Sequence, residues 1–367
     1  MILDTQTAPA LKEIFNRARL THIAEETAAV YPGFDTRKFL AAANAGLDDL
    51  SLMARLQRVS VLLHEGLPAD YRKALKVLRA LAPRLNSRFV TLILPEFVAR
   101  YGADDFDVSM EALKYFTAFG SSEFAVRHFL RIDLARGLKT MEAWSRDDDE
   151  HVRRLASEGS RPRLPWSFRI EPLMVDPSPV AVILDNLKAD TSLYVRKSVA
   201  NHLNDITKDN PGWALDKIES WSLEDPSTAW IAKHALRTLI KKGDKRALTV
   251  MGAGEKADVR LHDLRVHPKA IKLGERISVS FRLDSTSKRA QKLVVDYAIH
   301  YVKNSGATSA KVFKLKALTL AAGESVTLAR GQEIRDFTTR VHYEGRHAVD
   351  ILVNGECLGQ GYFELQK

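Results

Sequence analysis

The sequence predicts a multidomain protein with separate α and β regions, an α-solenoid of helical repeats followed by a β-sandwich. Three observations carry this. The spacing of apolar residues changes near residue 250 from three- and four-residue steps to strict alternation. Related helical segments recur at offsets of 36 and 43 residues. The last stretch of the chain is punctuated by turn signals at short, regular intervals.

The helical elements come first. Leu11, Ile14, Phe15 and Ala18 form one apolar stripe, Leu52, Leu56, Val59 and Leu63 a second, and Leu75, Leu78 and Leu81 a third. This is the amphipathic helical period. Breaks at Tyr31-Pro32-Gly33, Gly66-Leu67-Pro68, Gly102, Gly120, Gly159, Pro211-Gly212 and Gly243 leave helices of roughly 10–18 residues joined by short turns. Val152-Arg153-Arg154-Leu155-Ala156 aligns with the segment from Val195, and Val195–Leu203 aligns with Ile231–Leu239. Asp147-Asp148-Asp149, Asp190-Thr191-Ser192 and Asp225-Pro226-Ser227 precede these segments, and their side-chain oxygens suit helix N-caps. Helical units of this length read as a HEAT-like solenoid. An unrelated all-helical bundle is the alternative.

After Gly252-Ala253-Gly254 the period is two. Ile277, Val279, Phe281 and Leu283 alternate with polar residues, as do Val295, Tyr297, Ile299 and Tyr301. Turns are expected at Leu273-Gly274-Glu275, Asn304-Ser305-Gly306, Ala322-Gly323-Glu324, Tyr343-Glu344-Gly345 and Asn354-Gly355. About seven short strands over ~110 residues suit an immunoglobulin-like sandwich, with Val349 where a disulfide cysteine would stand. A small barrel is the alternative. The expected division is therefore 1–250 helical, 251–257 linker and 258–367 sandwich.

Composition bounds the function. The 367 residues suffice for two or three domains at ~100–200 residues each. A 45% hydrophobic and 28% charged content excludes disorder as the main state. No apolar run approaches the ~18–20 residues of a membrane span, and Met1-Ile2-Leu3-Asp4 begins no signal peptide. The single Cys357 excludes a disulfide framework and a multi-thiolate metal site. The expected home is the cytoplasm. The formal charge is +9, which permits a polyanionic partner. Residues 251–367 hold 19 basic and 13 acidic residues, against 36 and 33 in residues 1–250. Lys288, Arg289, Lys292, Lys311, Lys314 and Lys316 are expected to form one basic face of the sandwich.

Nucleotide-binding, zinc-protease and serine-hydrolase motifs are absent, and His300 and His342 read as strand residues. The unusual stretch runs from Trp144 to Trp166. A helix beginning after the Asp cluster and stopping at Gly159 puts Glu158 at its C-terminal end, the unfavourable end for a carboxylate, at a cost of about 0.3–1 kcal/mol. Arg153, Arg154, Arg161 and Arg163 lie nearby and suit both that carboxylate and phosphates. On the helix from Leu193, Lys197, Asn201 and Asp205 step by four on one polar face. The first two suit phosphates and Asp205 does not. Glu123 falls in the first turn of a helix capped by Ser121 or Ser122. Ion pairing, a surface ladder and helix capping, respectively, are the plain alternatives for the three acids.

These segments, Ser122–Arg127, Val152–Arg154 through Arg161–Trp166, and Val195–Asp205, resemble the DNA alkylation repair family of HEAT-like-repeat DNA glycosylases, in its AlkC branch with a C-terminal immunoglobulin-like domain. The resemblance implies hydrolysis of the N-glycosidic bond of cationic alkylated bases, 3-methyladenine and 3-methylcytosine, in duplex DNA without base flipping. It implies Glu158, Asp205 and Glu123 as acids at the lesion deoxyribose and Trp166 as an aromatic face to the same sugar. Arg153, Arg154, Arg161, Arg163, Arg196, Lys197, Asn201 and Lys233 are then expected to hold DNA. No cofactor, metal or membrane is expected, and the protein should act as a monomer at the bacterial nucleoid. A non-enzymatic protein recognising bent or branched DNA, and a protein-interaction scaffold, are the competing readings.

Overall fold

The structure, a computed structural model, describes residues 11–337 and 340–366. Contacts divide the chain into two compact units. The first runs to Lys217 and takes in Trp221–His234, and the second comprises Ile218–Ser220 and Ala235–Lys367.

The first unit is helical. Its helices start where a short polar side chain meets the free N–H groups of a first turn. Asn16, Asp35, Ser51, Asp70, Asp133, Asp149 and Ser192 each accept a hydrogen bond from a backbone N–H two or three residues on. The helices Glu150–Gly159 and Leu193–Ile206 pack side by side. Leu155, Ala156, Val195, Val199 and Leu203 are buried. Between the two units of sequence the 43-residue offset survives in side-chain detail. Arg153 donates to the carbonyls of Asp147 and Asp148, and Arg196 donates to those of Asp190 and Thr191. Each arginine thus ties down the turn that precedes its own helix. Each also reaches the next repeat, Arg153 as a double hydrogen bond to Asp190 at 2.7 and 3.2 Å, and Arg196 over the ring of Trp230.

The helix expected to start at Ser121 or Ser122 starts later, at Val126. The Ser122 hydroxyl donates instead to the Leu113 carbonyl, so the chain enters this helix through a turn at residues 123–125 and Glu123 lies before it.

The second unit opens with the short helices Arg237–Lys241 and Lys245–Val250. Among the described residues eight strands follow: β1 (Val259–His267), β2 (Ala270–Lys272), β3 (Arg276–Ser285), β4 (Gln291–Val302), β5 (Thr308–Leu320), β6 (Ser325–Glu333), β7 (Gly345–Val353) and β8 (Glu356–Gln366). They form a three-stranded sheet, β1-β3-β6, and a five-stranded sheet, β2-β8-β7-β4-β5. Pairing is antiparallel except between β2 and β8. The strand beyond the expected seven is the three-residue β2. Ile277, Val279, Phe281 and Leu283 bury the inner face of β3, and Val295, Tyr297 and Ile299 that of β4. Val349 packs in the same core. Asn354 and Gly355 both adopt positive φ, the conformation a two-residue hairpin turn requires, and they join β7 to β8.

Two expectations for this unit are corrected. His342 lies outside the strands, buried beside Asp336. The lysines of β5 do not share a face. Lys316 and Lys311 lie opposite Val295 and Ile299 of the inner face, whereas Lys314 lies opposite Asp296 of the outer one; plain alternation separates Lys311 from Lys314, and the bulge between Val295 and Asp296 separates Lys316 from Lys314.

Candidate active site

The helix Glu150–Gly159 ends where expected, at Gly159. A β-carbon there would lie 2.5 Å from Val126, so the close approach of this helix end to its neighbour requires glycine. Just before it, the Glu158 side chain is buried. Its Oε1 accepts from Arg161 Nη1 at 2.6 Å and pairs with Arg154 Nη2 at 3.5 Å, while Oε2 accepts from the Ser198 hydroxyl at 2.6 Å.

Asp205 is also buried, which corrects its reading as part of an exposed polar face. On that helix Lys197 is exposed, Asn201 half-buried and Asp205 enclosed. Arg161 approaches Asp205 Oδ2 through Nε at 2.8 Å and Nη2 at 2.7 Å, and Lys208 donates to Oδ1 at 2.9 Å. Glu123 pairs with Arg154 and accepts from the Ser121 hydroxyl at 2.8 Å. The three acids therefore lie in one alternating row, Glu123–Arg154–Glu158–Arg161–Asp205–Lys208.

Electrostatics fix the charge state of this row's guanidinium groups. Burial opposes the charge on Arg161, but Glu158 and Asp205 outweigh it and raise its pKa. Burial likewise opposes Arg154, and Glu123 and Glu158 raise it. Arg154 also lies 5.0 Å from the Tyr194 ring centre. Glu123, Glu158, Arg161, Leu164, Trp166 and Tyr194 contribute to the lining of an open cavity of about 410 Å³. Trp166 is 77% exposed and takes a left-handed φ of 64°, so its ring lies outside the core.

The loop between Ser160 and Phe168 carries Arg161 and Trp166. Inside it Ser167 N–H donates to the Leu164 carbonyl, and across its neck Ile170 N–H donates to the carbonyl of Pro162. Behind it Arg127 is fully buried and donates to the carbonyls of Gly159 at 3.0 Å, Arg161 at 2.5 Å and Phe168. Burial, followed by the neighbouring Arg161 charge, pushes its pKa down to about 10.

The residues expected to hold DNA fall into two groups. Arg153, Arg154, Arg161 and Arg196 are turned inward to carboxylates or carbonyls, and Arg163 forms a paired contact with Asp209 at 2.7 and 2.6 Å. Lys197 and Lys233 are exposed and occupy corresponding positions of successive repeats. Sequence reasoning missed Ser198, Tyr194 and Arg127. The one legible signal was for Arg127, a lone guanidinium inside the apolar run Phe124–Leu130. Among the described residues no group of three or more His, Cys, Asp or Glu is arranged to hold a metal ion, and no helix is long and apolar enough to cross a membrane.

Comparison with known proteins places this geometry in context. Residues 260–367 match the family model described as "Uncharacterised protein YhaZ, C-terminal Ig-like domain". The chain is 44% identical over 349 residues to the uncharacterized protein YhaZ of Bacillus subtilis, covering 94% of this chain and 96% of that protein. A solved structure of the Pseudomonas fluorescens alkylpurine DNA glycosylase AlkC, bound to DNA containing an abasic site analog, is 64% identical. It superposes with a TM-score of 0.95 over 98% of this chain and 100% of that one.

Proposed function

The chain belongs to the AlkC family of alkylpurine DNA glycosylases, and from that premise we propose that it hydrolyses the N-glycosidic bond of alkylated bases in duplex DNA. The substrates are small cationic lesions, 3-methyladenine and 3-methylcytosine, and the enzyme acts in the bacterial cytoplasm at the nucleoid. A cationic alkylated base leaves as a neutral molecule, so the leaving group needs little help from a general acid. The developing positive charge is on the deoxyribose. The protein therefore has to stabilise a cation and place a water.

Glu158 and Asp205 supply the negative charge and orient the attacking water, Glu123 adds to the acidic side of the site, and the exposed ring of Trp166 faces the sugar cation. The observation that carries this reading is the row of three carboxylates beside an exposed tryptophan, in a chain alike over its whole length to a glycosylase. Arg154 and Arg161 pair with these carboxylates in a partly enclosed site, where an unpaired charge would be costly. The lesion stays in the stack, gripped through the backbone, with Lys197 and Lys233 facing the phosphates.

The test is base release. Purified protein is incubated with methylated duplex DNA, and freed bases are identified by chromatography and mass spectrometry. Release of 3-methyladenine or 3-methylcytosine that is lost in Glu158→Gln is the expected result. Folded protein that binds DNA in a salt-sensitive way and releases no base would overturn the reading in favour of a non-enzymatic DNA-binding protein.

A further inference from the structure

Among the described residues no carboxylate pairs with the Arg127 guanidinium, yet Arg127 is among the largest fully buried side chains of the first unit. Its hydrogen bonds go to the carbonyls of Gly159 and Arg161, at the start of the loop, and to that of Phe168, at its end. Two of the three thus lie at one end of the loop and one at the other. The groups carried between those ends are Arg161, which holds both Glu158 and Asp205, and Trp166, which is held at positive φ and exposed. A left-handed conformation at a bulky residue persists only where its surroundings over-determine it. The loop's own backbone contributes two hydrogen bonds, Ser167 to Leu164 within it and Ile170 to Pro162 across its neck; the Arg127 guanidinium lies beneath that neck and adds bonds to the carbonyls just inside and outside it. Arg131, stacked 3.5 Å from the Phe168 ring centre, holds the outgoing side without reaching the incoming one.

We infer that Arg127 is a positioning residue for base release: beside the Ile170–Pro162 backbone bond, one buried guanidinium clamps both ends of the loop from Gly159 to Phe168 and thereby sets both the Arg161 bridge and the Trp166 ring. The inference rests on the glycosylase reading above for its catalytic part and on the geometry alone for its conformational part. Lysine, a point donor on a flexible stem, cannot span three carbonyls that a planar fork spans. A misplacement of about 1 Å remote from the reacting atoms can cost about 10²-fold in rate.

The experiment uses the full-length protein labelled with 5-fluorotryptophan. The chain has five tryptophans, and Trp166→Phe identifies the Trp166 fluorine resonance. In Arg127→Lys the Trp166 resonance is expected to shift or broaden while the other four hold. Single-turnover base release should slow about 10²-fold, with a much smaller change in affinity for abasic DNA. In Arg127→Gly, added guanidinium ion should restore part of the rate and return the resonance toward its parental position. An unmoved Trp166 resonance with base release within about a factor of two of the parent overturns the inference. So does a change spread over all five resonances that guanidinium does not reverse, which marks a merely structural arginine. A parent protein without base release overturns the glycosylase reading instead, and the fluorine resonance still decides whether Arg127 clamps the loop.

Discussion

Arg161 meets Asp205 side-on, its Nε and Nη2 lying 2.8 and 2.7 Å from the same Oδ2 oxygen. Its remaining terminal nitrogen is 2.6 Å from Glu158. The separation of two carboxylates from different repeats is therefore set by one rigid, planar group, and each acid can be neutralised without freeing the other.

That arrangement makes Glu158→Gln and Asp205→Asn clean tests. Either substitution should slow base release by about 10²–10³-fold, the scale on which charge stabilisation of a transition state acts, with DNA binding retained. Glu158→Ala differs, because it also removes a partner from a buried guanidinium, and a loss of up to about 3–5 kcal/mol of stability is expected. Single-turnover release read beside thermal melting separates the two effects. Parental rates in both amide variants would refute the assigned chemistry.

Trp166 should matter to rate and not to stability. Its ring is 77% exposed, so Trp166→Ala should change stability by no more than about 0.5 kcal/mol. A cation–π contribution of about 1–2 kcal/mol corresponds to a loss of about tenfold in base release, and Trp166→Phe should retain part of it. Equal rates for the alanine variant and the parent would remove the ring from the mechanism.

His202 makes the first unit acid-sensitive. Burial, followed by the Arg161 charge, pushes its imidazole down to about 3, so it is neutral in the folded protein. An unfolded chain titrates this group near 6.5, and between those values it binds a proton that the folded state does not. Stability therefore falls as pH drops below 6.5, by about 2 kcal/mol at pH 5 from this group alone. Urea unfolding of parent and His202→Leu at pH 7 and 5 checks this, with a flatter dependence expected in the variant. Equal slopes would contradict it.

Asp296 predicts the opposite sign in the second unit. Burial raises its carboxyl to about 6, against the nearby Lys314 and Lys241 charges and a backbone hydrogen bond from Leu315. Here the folded state holds the proton longer than the unfolded chain, whose value is 3.8. The contribution is present at low pH and is lost as pH rises from about 4 to about 6. Asp296→Asn should therefore stabilise this unit by about 2–3 kcal/mol at pH 7 and leave it unchanged below pH 4. Melting curves across that range decide it, and a variant destabilised at pH 7 contradicts it.

Much of the architecture was legible because it depends on neighbours in sequence. The stop at Gly159, the caps at Asp149 and Ser192, the hairpin at Asn354-Gly355 and the alternation along β3 are local consequences of residue type. The start of the Val126 helix was misplaced because the Ser122 hydroxyl is claimed by a carbonyl nine residues back, a partner no local rule supplies. Asp205 was misjudged because the periodicity of its helix assumes one solvent-facing side, whereas a neighbouring repeat covers the end of that side. On β5 the three-residue spacing of Lys311 and Lys314 already puts them on opposite faces, whereas the parting of Lys316 from Lys314 comes from a single-residue bulge that no local pattern announces. At the site the acids were recognisable as residues out of place among arginines and by resemblance. The bridge itself joins residues 44 apart, and only the packed repeats bring them together.

The inward pairing of the arginines also bears on how this protein meets its substrate. Opposite charges a few ångströms apart form a dipole, whose field dies away faster than that of a single charge, and at physiological salt little of it survives beyond about 8 Å. Arg153, Arg154, Arg161 and Arg163 each face a carboxylate, so the row proposed as catalytic is electrostatically quiet at a distance. On the proposed function, long-range attraction falls to exposed lysines such as Lys197 and Lys233. The proposed function then divides arrival on the duplex and engagement of the lesion between different side chains, and raised ionic strength is expected to slow the first without disturbing the second.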